Sequence, residues 1–247
     1  MRIAVFSDMH GNNLAFEAVL ADMKQQGSDQ LVCLGDAIQG GPQPKQTVER
    51  LCTLNCPVVM GNADAWLLTG VETADEGIPP ERLKKMDEIR EWSLSQLSND
   101  DRAFMSSFQP TVTIPLGDNL ELWCFHGSPT SFDDIILPHA PKDIFDKYLG
   151  AYADRILTGG HTHAQQIRRN GDLFFFNPGS VGLAYSHYQP DGIFKLDHWA
   201  DYAILTVENG QPSLEFRRVP FDVNELIRIY RESGRPFVDD AIEQYRR

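Results

Sequence analysis

Short apolar runs in this chain end, one after another, in residues that bind metals. RIAVFS at 2–7 runs into Asp8-Met9-His10, LVCLG at 31–35 into Asp36, and PVVMG at 57–61 into Asn62. LELWCF at 120–125 runs into His126, and RILTGG at 155–160 into His161-Thr162-His163. Each run has the length and composition of a strand. In an open parallel sheet the carboxyl ends of the strands share one edge, where ligands bind. An Asp and a His two apart, as in Asp8-x-His10, also point to the same side of an extended chain.

No single element is specific. A Gly-Asp after a strand is usually a turn, a lone His at a strand end is usually a hydrogen-bonded structural residue, and H-x-H alone is weak. Their ordered succession is a different matter. Two carboxylates and four imidazoles packed together without cations would cost desolvation with no structural return. With divalent ions the group makes sense. Imidazole, carboxylate and amide oxygen together suit Mn, Fe or Zn. Seven ligands serve two metals if one carboxylate bridges.

Between these runs lie helical stretches. Residues 12–26 carry Leu14, Ala18, Val19 and Leu20 at helical spacing, with Gly27 as a stop, and 44–54 set Val48 and Leu51 inward. Strand, helix, strand, helix and strand over 2–60 predict right-handed crossovers and a parallel sheet. Residues 71–107 break the rhythm: they are charged, contain Pro79-Pro80, and read as a helical insertion. Strands are expected at 111–116 and 119–125 around Gly117-Asp118, and at 155–158, 164–169, 172–177, 202–208 and 213–219. Turns fall at Asn170-Gly171 and Asn209-Gly210. Helices are expected at 141–149 and 222–232.

The length of 247 residues fits one domain, 1–247, with one large core. Lys and Arg number 22 against 35 Asp and Glu, a formal charge of −13. Such a chain is a poor partner for long nucleic acid or an anionic membrane. No window approaches 18 apolar residues, and the short run after Arg2 is not a signal peptide, so the cytoplasm is the expected compartment. Cys33 and Cys124 lie in apolar runs and read as buried hydrophobes. Cys52 and Cys56 have no second pair to make a zinc ribbon.

The ordered set D-x-H, G-D, G-N, H-G and G-H-T-H, with N-P-G-S-V-G at 177–182, resembles the calcineurin-like metallophosphoesterase superfamily. The short chain and the missing His after Gly61-Asn62 resemble its small bacterial and archaeal phosphodiesterase branch. The resemblance spans about residues 1–219. It implies an α/β fold, a four-layer α/β/β/α sandwich of two mixed sheets. It also implies two divalent ions, Mn favoured over Fe or Zn. Asp8, His10 and His163 would hold the first ion, Asn62, His126 and His161 the second, with Asp36 bridging. Asp36, Asn62 and His126 would be the catalytic members. Such a pair activates water as the nucleophile and clamps phosphate oxygens. Gly159-Gly160 and Gly179 would let the backbone run close to the metals.

The chain departs from the family pattern at Gly61-Asn62-Ala63-Asp64, where many members have G-N-H-[DE]. Ala63 cannot protonate a leaving group, a form of help worth about 10²–10⁴-fold. Phosphodiesters or good leaving groups are therefore the expected substrates, with a nucleotide among the candidates. Asp64 reads either as a substitute acid or, preferably, as the N-cap of a helix starting at Ala65-Trp66. The aromatic loop 184–199 (Tyr185, His187, Tyr188, Phe194, His198, Trp199) reads as a wall for a nucleobase or as a loop packing its own rings, the second preferred. Lys84 and Lys85 in the insertion read as a solvated face or a homodimer surface. The competing readings are a dinucleoside polyphosphate hydrolase or phosphomonoesterase, a protein phosphatase, and a non-catalytic metal-binding protein of the same fold. Chains of the last kind usually lose ligands, whereas all seven stand here.

Overall fold

A computed structural model describes residues 1–71, 79–117, 120–152, 155–171, 173–190 and 192–246. Part of the insertion (72–78) and Asp118 of the hairpin turn lie outside them. Strand β1 (Arg2–Phe6) shows how the layers arise. Its side chains alternate, so Ile3 and Val5 join one core while Ala4 and Phe6 join another, all four fully buried. Helix α1 (Asn13–Gln26) covers the second face. It is capped by the Asn12 side chain, which accepts from the Ala15 amide at 3.1 Å.

β2 (Gln30–Cys33) pairs parallel to β1. α2 (Pro44–Thr53), α3 (Asn62–Thr69), α4 (Pro80–Gln96) and α5 (Asn99–Ser106) follow. The second sheet is built from β3 (Val112–Gly117), β4 (Leu120–Cys124), β5 (Ile156–Thr158), β6 (Gln166–Asn170) and β7 (Leu173–Asn177), in the order β3-β4-β5-β7-β6. Helix α6 (Lys142–Leu149) lies between β4 and β5 in sequence. β8 (Trp199–Glu208) and β9 (Gln211–Pro220) then return to the first sheet, ordered β2-β1-β8-β9. Both sheets are mixed, because each combines parallel and antiparallel ladders. One core lies between the sheets, with Val5, Val32 and Leu205 facing Leu122, Ile156 and Phe176. A second packs Phe6 and Tyr202 under α1 and α2, and a third packs Phe125 and Phe175 under Phe145 of α6. The layers therefore run helix, sheet, sheet, helix, as the resemblance implies.

Two expectations need correction. Residues 57–60 do not form a full strand; they make only single bridges, Cys33 to Val58 and Val59 to Gln109. Pro57 has no amide to donate, and Asn62 already opens α3. The parallel ladder of the first half therefore stops early, and the β8–β9 hairpin from the second half completes the sheet. α7 (Val223–Glu232) was expected, but a short further helix, α8 (Val238–Glu243), follows it. Leu226, Tyr230, Ile242 and Tyr245 of this tail form their own apolar cluster with Leu196. All four cysteines are free, and Cys33 and Cys124 are buried. Among the described residues no helix is long and apolar enough to cross a membrane.

Candidate metal centre

The loops after β1, β2 and β5 carry most of the expected ligands in an uncommon backbone conformation. Asp8 (φ 58°), His10 (47°), Asp36 (53°), His161 (67°) and His163 (55°) all adopt the left-handed region. Non-glycine residues enter it at a cost of about 1–3 kcal/mol, and such residues gather at functional sites. Asp8-x-His10 is thus a tight turn rather than an extended arm. The surrounding ladder holds it: the amides of Asp8, His10 and Gly11 each donate at 2.9 Å, to the carbonyls of Gly35, Asp36 and Ala37.

The seven residues come together as two groups. The ligand atoms of Asp8, His10 and His163 lie within 4.8 Å of one another, as do those of Asp36, His126 and His161. His10 Nε2 stands 3.1 Å from His163 Nε2, and His163 Nε2 stands 3.2 Å from Asp8 Oδ1. Asn62 Oδ1 lies 3.0 Å from His126 Nε2. Asp36 stands between the groups: its Oδ2 is 3.6 Å from His10 Nε2 and 3.4 Å from His126 Nε2. Its Oδ1 accepts from the Ala63 amide at 2.9 Å, so one oxygen is fixed and the other faces both groups.

The imidazoles are oriented from behind. Nδ1 of His10 donates to the Gln39 carbonyl (2.8 Å), that of His126 to Leu34 (2.7 Å) and that of His163 to Leu183 (2.9 Å). This fixes the tautomer and turns three Nε2 lone pairs inward, the arrangement that metal-binding histidines use. Asp8 Oδ1 is buried and has no hydrogen-bond partner. Crowded acceptors and an orphaned buried carboxylate oxygen are what a divalent cation would satisfy, so the residues fit a metal pair.

The buried charges shift one another's protonation in opposite directions. Burial opposes charge on His126, but the Asp36 carboxylate outweighs it and pushes His126 up to about 10. Burial and the nearby His126 push His161 down to about 4. Burial would raise Asp36, yet His126 and His10 hold it well below the usual carboxylate range. Metal binding must displace such protons, so affinity falls as pH falls.

The sequence reading named several supporting residues without finding their roles. Asp64 is not an N-cap: α3 begins at Asn62, and the buried Asp64 carboxylate accepts from the amides of Asp36 (2.7 Å), Ala37 (2.9 Å) and Gly61 (3.2 Å). It clamps the Asp36 loop. Burial and the Asp36 charge push Asp64 up to about 7. Asn177 Nδ2 donates to the Gly160 carbonyl at 2.6 Å, and Ser180 Oγ donates to the Asp8 carbonyl at 2.8 Å, so N-P-G-S braces two ligand loops. Gly160 is needed where expected, since a Cβ there would meet Ser7 Oγ at 2.2 Å and Asp8 Oδ2 at 2.9 Å. Gly179 is not a metal-side glycine; its close neighbour is Asp201 of β8. Part of the 184–199 loop packs its own aromatics, while Tyr188 stands exposed. The Tyr185 ring touches those of His163, His187 and Phe194, and His187 Nε2 donates to the Thr162 carbonyl at 2.7 Å. Lys85 is exposed, and its Nζ bonds the equally exposed Asp240 of α8 at 2.6 Å.

Two face-to-face mixed sheets with a ligand-rich edge define a metallophosphoesterase-like class of protein. The calcineurin-like phosphoesterase superfamily domain matches residues 1–209, and the chain belongs to that superfamily. It is similar to an uncharacterized protein of Methanocaldococcus jannaschii, 29% identical over 242 residues, covering 90% of this chain and 89% of that one. It is also similar to the phosphodiesterase YfcE of Escherichia coli, 24% identical over 189 residues, covering 74% and 80%. The crystal structure of a metallophosphoesterase from Sphaerobacter thermophilus superposes with a TM-score of 0.73 at 25% identity, over 99% of this chain and 98% of that one.

Proposed function

We propose that this chain is a dinuclear metal-dependent phosphodiesterase acting on a small phosphodiester, with a nucleotide among its candidate substrates. One observation carries the reading: two ligand triads lie side by side, and Asp36 of one turns its inward oxygen to 3.4 Å from His126 of its own triad and 3.6 Å from His10 of the other. Asp8, His10 and His163 would hold one ion, Asn62, His126 and His161 the other, with Asp36 between them. Manganese is favoured, with iron or zinc possible for the same donors. Bound there, the ions would supply activation of water near neutral pH and would offset charge at phosphorus.

The chain's own residues do the rest. The Gln39, Leu34 and Leu183 carbonyls orient the imidazoles, and Asp64 fixes the loop of the bridging carboxylate. At Ala63 only the amide is engaged, and it is spent on Asp36 Oδ1. No side chain at that position can protonate a poor leaving group, which favours diesters over alkyl monoesters. The similarity to a protein named as a phosphodiesterase supports the same direction.

The test is Mn²⁺-reloaded protein assayed on bis(p-nitrophenyl) phosphate and on an alkyl monoester. The diester is turned over and the monoester is at least about 10²-fold poorer. Ala63→His narrows that gap; an unchanged ratio would remove the role assigned to Ala63. Two bound metals with no diester turnover would contradict the phosphodiesterase reading.

A further inference from the structure

The loop that follows β7 folds back over the His161–His163 turn. The Leu183 carbonyl accepts from His163 Nδ1 at 2.9 Å, and His187 Nε2 donates to the Thr162 carbonyl at 2.7 Å. Tyr185 stands midway in sequence between these two anchors. Its ring meets the His163 ring edge-on, with centroids 5.7 Å apart, and also packs against the rings of His187 at 4.7 Å and Phe194 at 5.0 Å. One neighbour of Tyr185 is therefore a member of the Asp8 group itself.

The hydroxyl of that ring is unspent. The buried Tyr202 and Tyr245 donate theirs to Asp22 (2.6 Å) and to the Gly182 carbonyl (3.1 Å). The Tyr185 hydroxyl makes no hydrogen bond among the described residues, and it is not sealed from solvent. Burial and the Asp8 carboxylate both raise the phenol above its ordinary value, so the hydroxyl lies within the field of the Asp8 group. Packing alone would be served by a phenylalanine, and a half-buried tyrosine usually gives its hydroxyl a partner. The Asp36 side of the centre offers no side-chain donor at Ala63, whose amide is taken by Asp36 Oδ1 at 2.9 Å.

We propose that Tyr185 is a substrate-contacting residue, whose hydroxyl donates a hydrogen bond to a non-bridging oxygen of a phosphate held at the Asp8 group. The proposal rests on the phosphodiesterase reading and deepens it by naming the side from which the phosphate is grasped. A hydrogen bond to an anionic oxygen is among the stronger ones. The donor itself is neutral, so it does not repel the cation that Asp8, His10 and His163 would hold. A ring already packed against three others loses little rotamer freedom when the phosphate arrives.

The test is calorimetric titration of the full Mn²⁺-loaded chain with inorganic phosphate, beside the metal content of the same samples. Tyr185→Phe keeps the ring and removes only the hydroxyl. It binds phosphate about 10- to 100-fold more weakly, as the loss of one hydrogen bond to an anion requires, and keeps the metal content of the unsubstituted chain. Tyr188→Phe removes a hydroxyl from an exposed residue of the same loop and leaves phosphate affinity as it was. No phosphate binding by the unsubstituted chain overturns the proposal, as does unchanged affinity in Tyr185→Phe. So does a loss of affinity that comes with a loss of metal, since Tyr185 would then act only by holding His163 in place. An equal loss in Tyr188→Phe overturns it too, because the loop and not one hydroxyl would be responsible. Phosphate binding is read without turnover. Failure to hydrolyse bis(p-nitrophenyl) phosphate would remove the phosphodiesterase reading and leave the Tyr185 result separate.

Discussion

The two halves of the centre are held in different ways. The Asp36 group hangs on the sandwich itself. His126 is fully buried at the end of β4 and bonds the Leu34 carbonyl just past β2, while Asp64 ties the Asp36 loop from α3. The Asp8 group leans on outer segments. His10 and His163 are oriented by carbonyls of the 39–40 turn and the 180–183 turn. Those turns are tied in their turn to the C-terminal tail, by Arg235 to Gly40 and by the Tyr245 hydroxyl to the Gly182 carbonyl at 3.1 Å. One half is fixed by the core that makes the fold. The other is held by that core at Asp8, through the Gly35 carbonyl, and is braced at His10 and His163 by turns that the C-terminal tail touches. Changes in the tail would therefore reach the turns behind His10 and His163 before they reach the Asp36 group.

The sharpest way to break this comparison is Gly160→Ala. The new Cβ would sit 2.2 Å from Ser7 Oγ and 2.9 Å from Asp8 Oδ2, so Asp8 must move. Metal content, read by mass spectrometry after gel filtration, falls from two ions per chain to one, and the retained ion is the one of the Asp36 group. Loss of both ions would mean that the halves are not separable. A smaller effect is expected for Asp64→Ala, which frees three buried amides of the Asp36 loop. Losing such outer support typically costs 10–100-fold in metal affinity. A competition titration with a chelating dye should show that loss for one site only. A loss spread over both sites would place Asp64 in the service of the whole edge.

Much of this centre could be read from residue order alone. Each candidate ligand follows an apolar run, and strand ends converge whatever the loops do, so the gathering of the seven side chains was legible in the sequence. The grouping of His163 with Asp8 and of His161 with Asp36 also agrees with the resemblance. The left-handed backbone at five of those positions was not legible. Asp and His carry no requirement for positive φ; the surrounding ladder imposes it. Asp64 was misplaced because α3 begins three residues before the expected start, which moves Asp64 from the cap into the first turn. α8 was missed because six residues after Pro236 give almost no helical period to detect. The place of Tyr185 could not be read either, since it depends on the loop after β7 folding back onto His163.

The central claim is that Asp36 joins two metal positions through one oxygen. Its most direct test is the metal content of the Mn²⁺-loaded protein beside that of Asp36→Asn, with diester hydrolysis measured on the same samples. The unsubstituted chain should hold two ions and turn over bis(p-nitrophenyl) phosphate. Asp36→Asn should hold one ion or fewer and lose turnover together with the ion. Two tightly held ions in Asp36→Asn with turnover intact would contradict the bridge, and one ion in the active unsubstituted chain would contradict the pair.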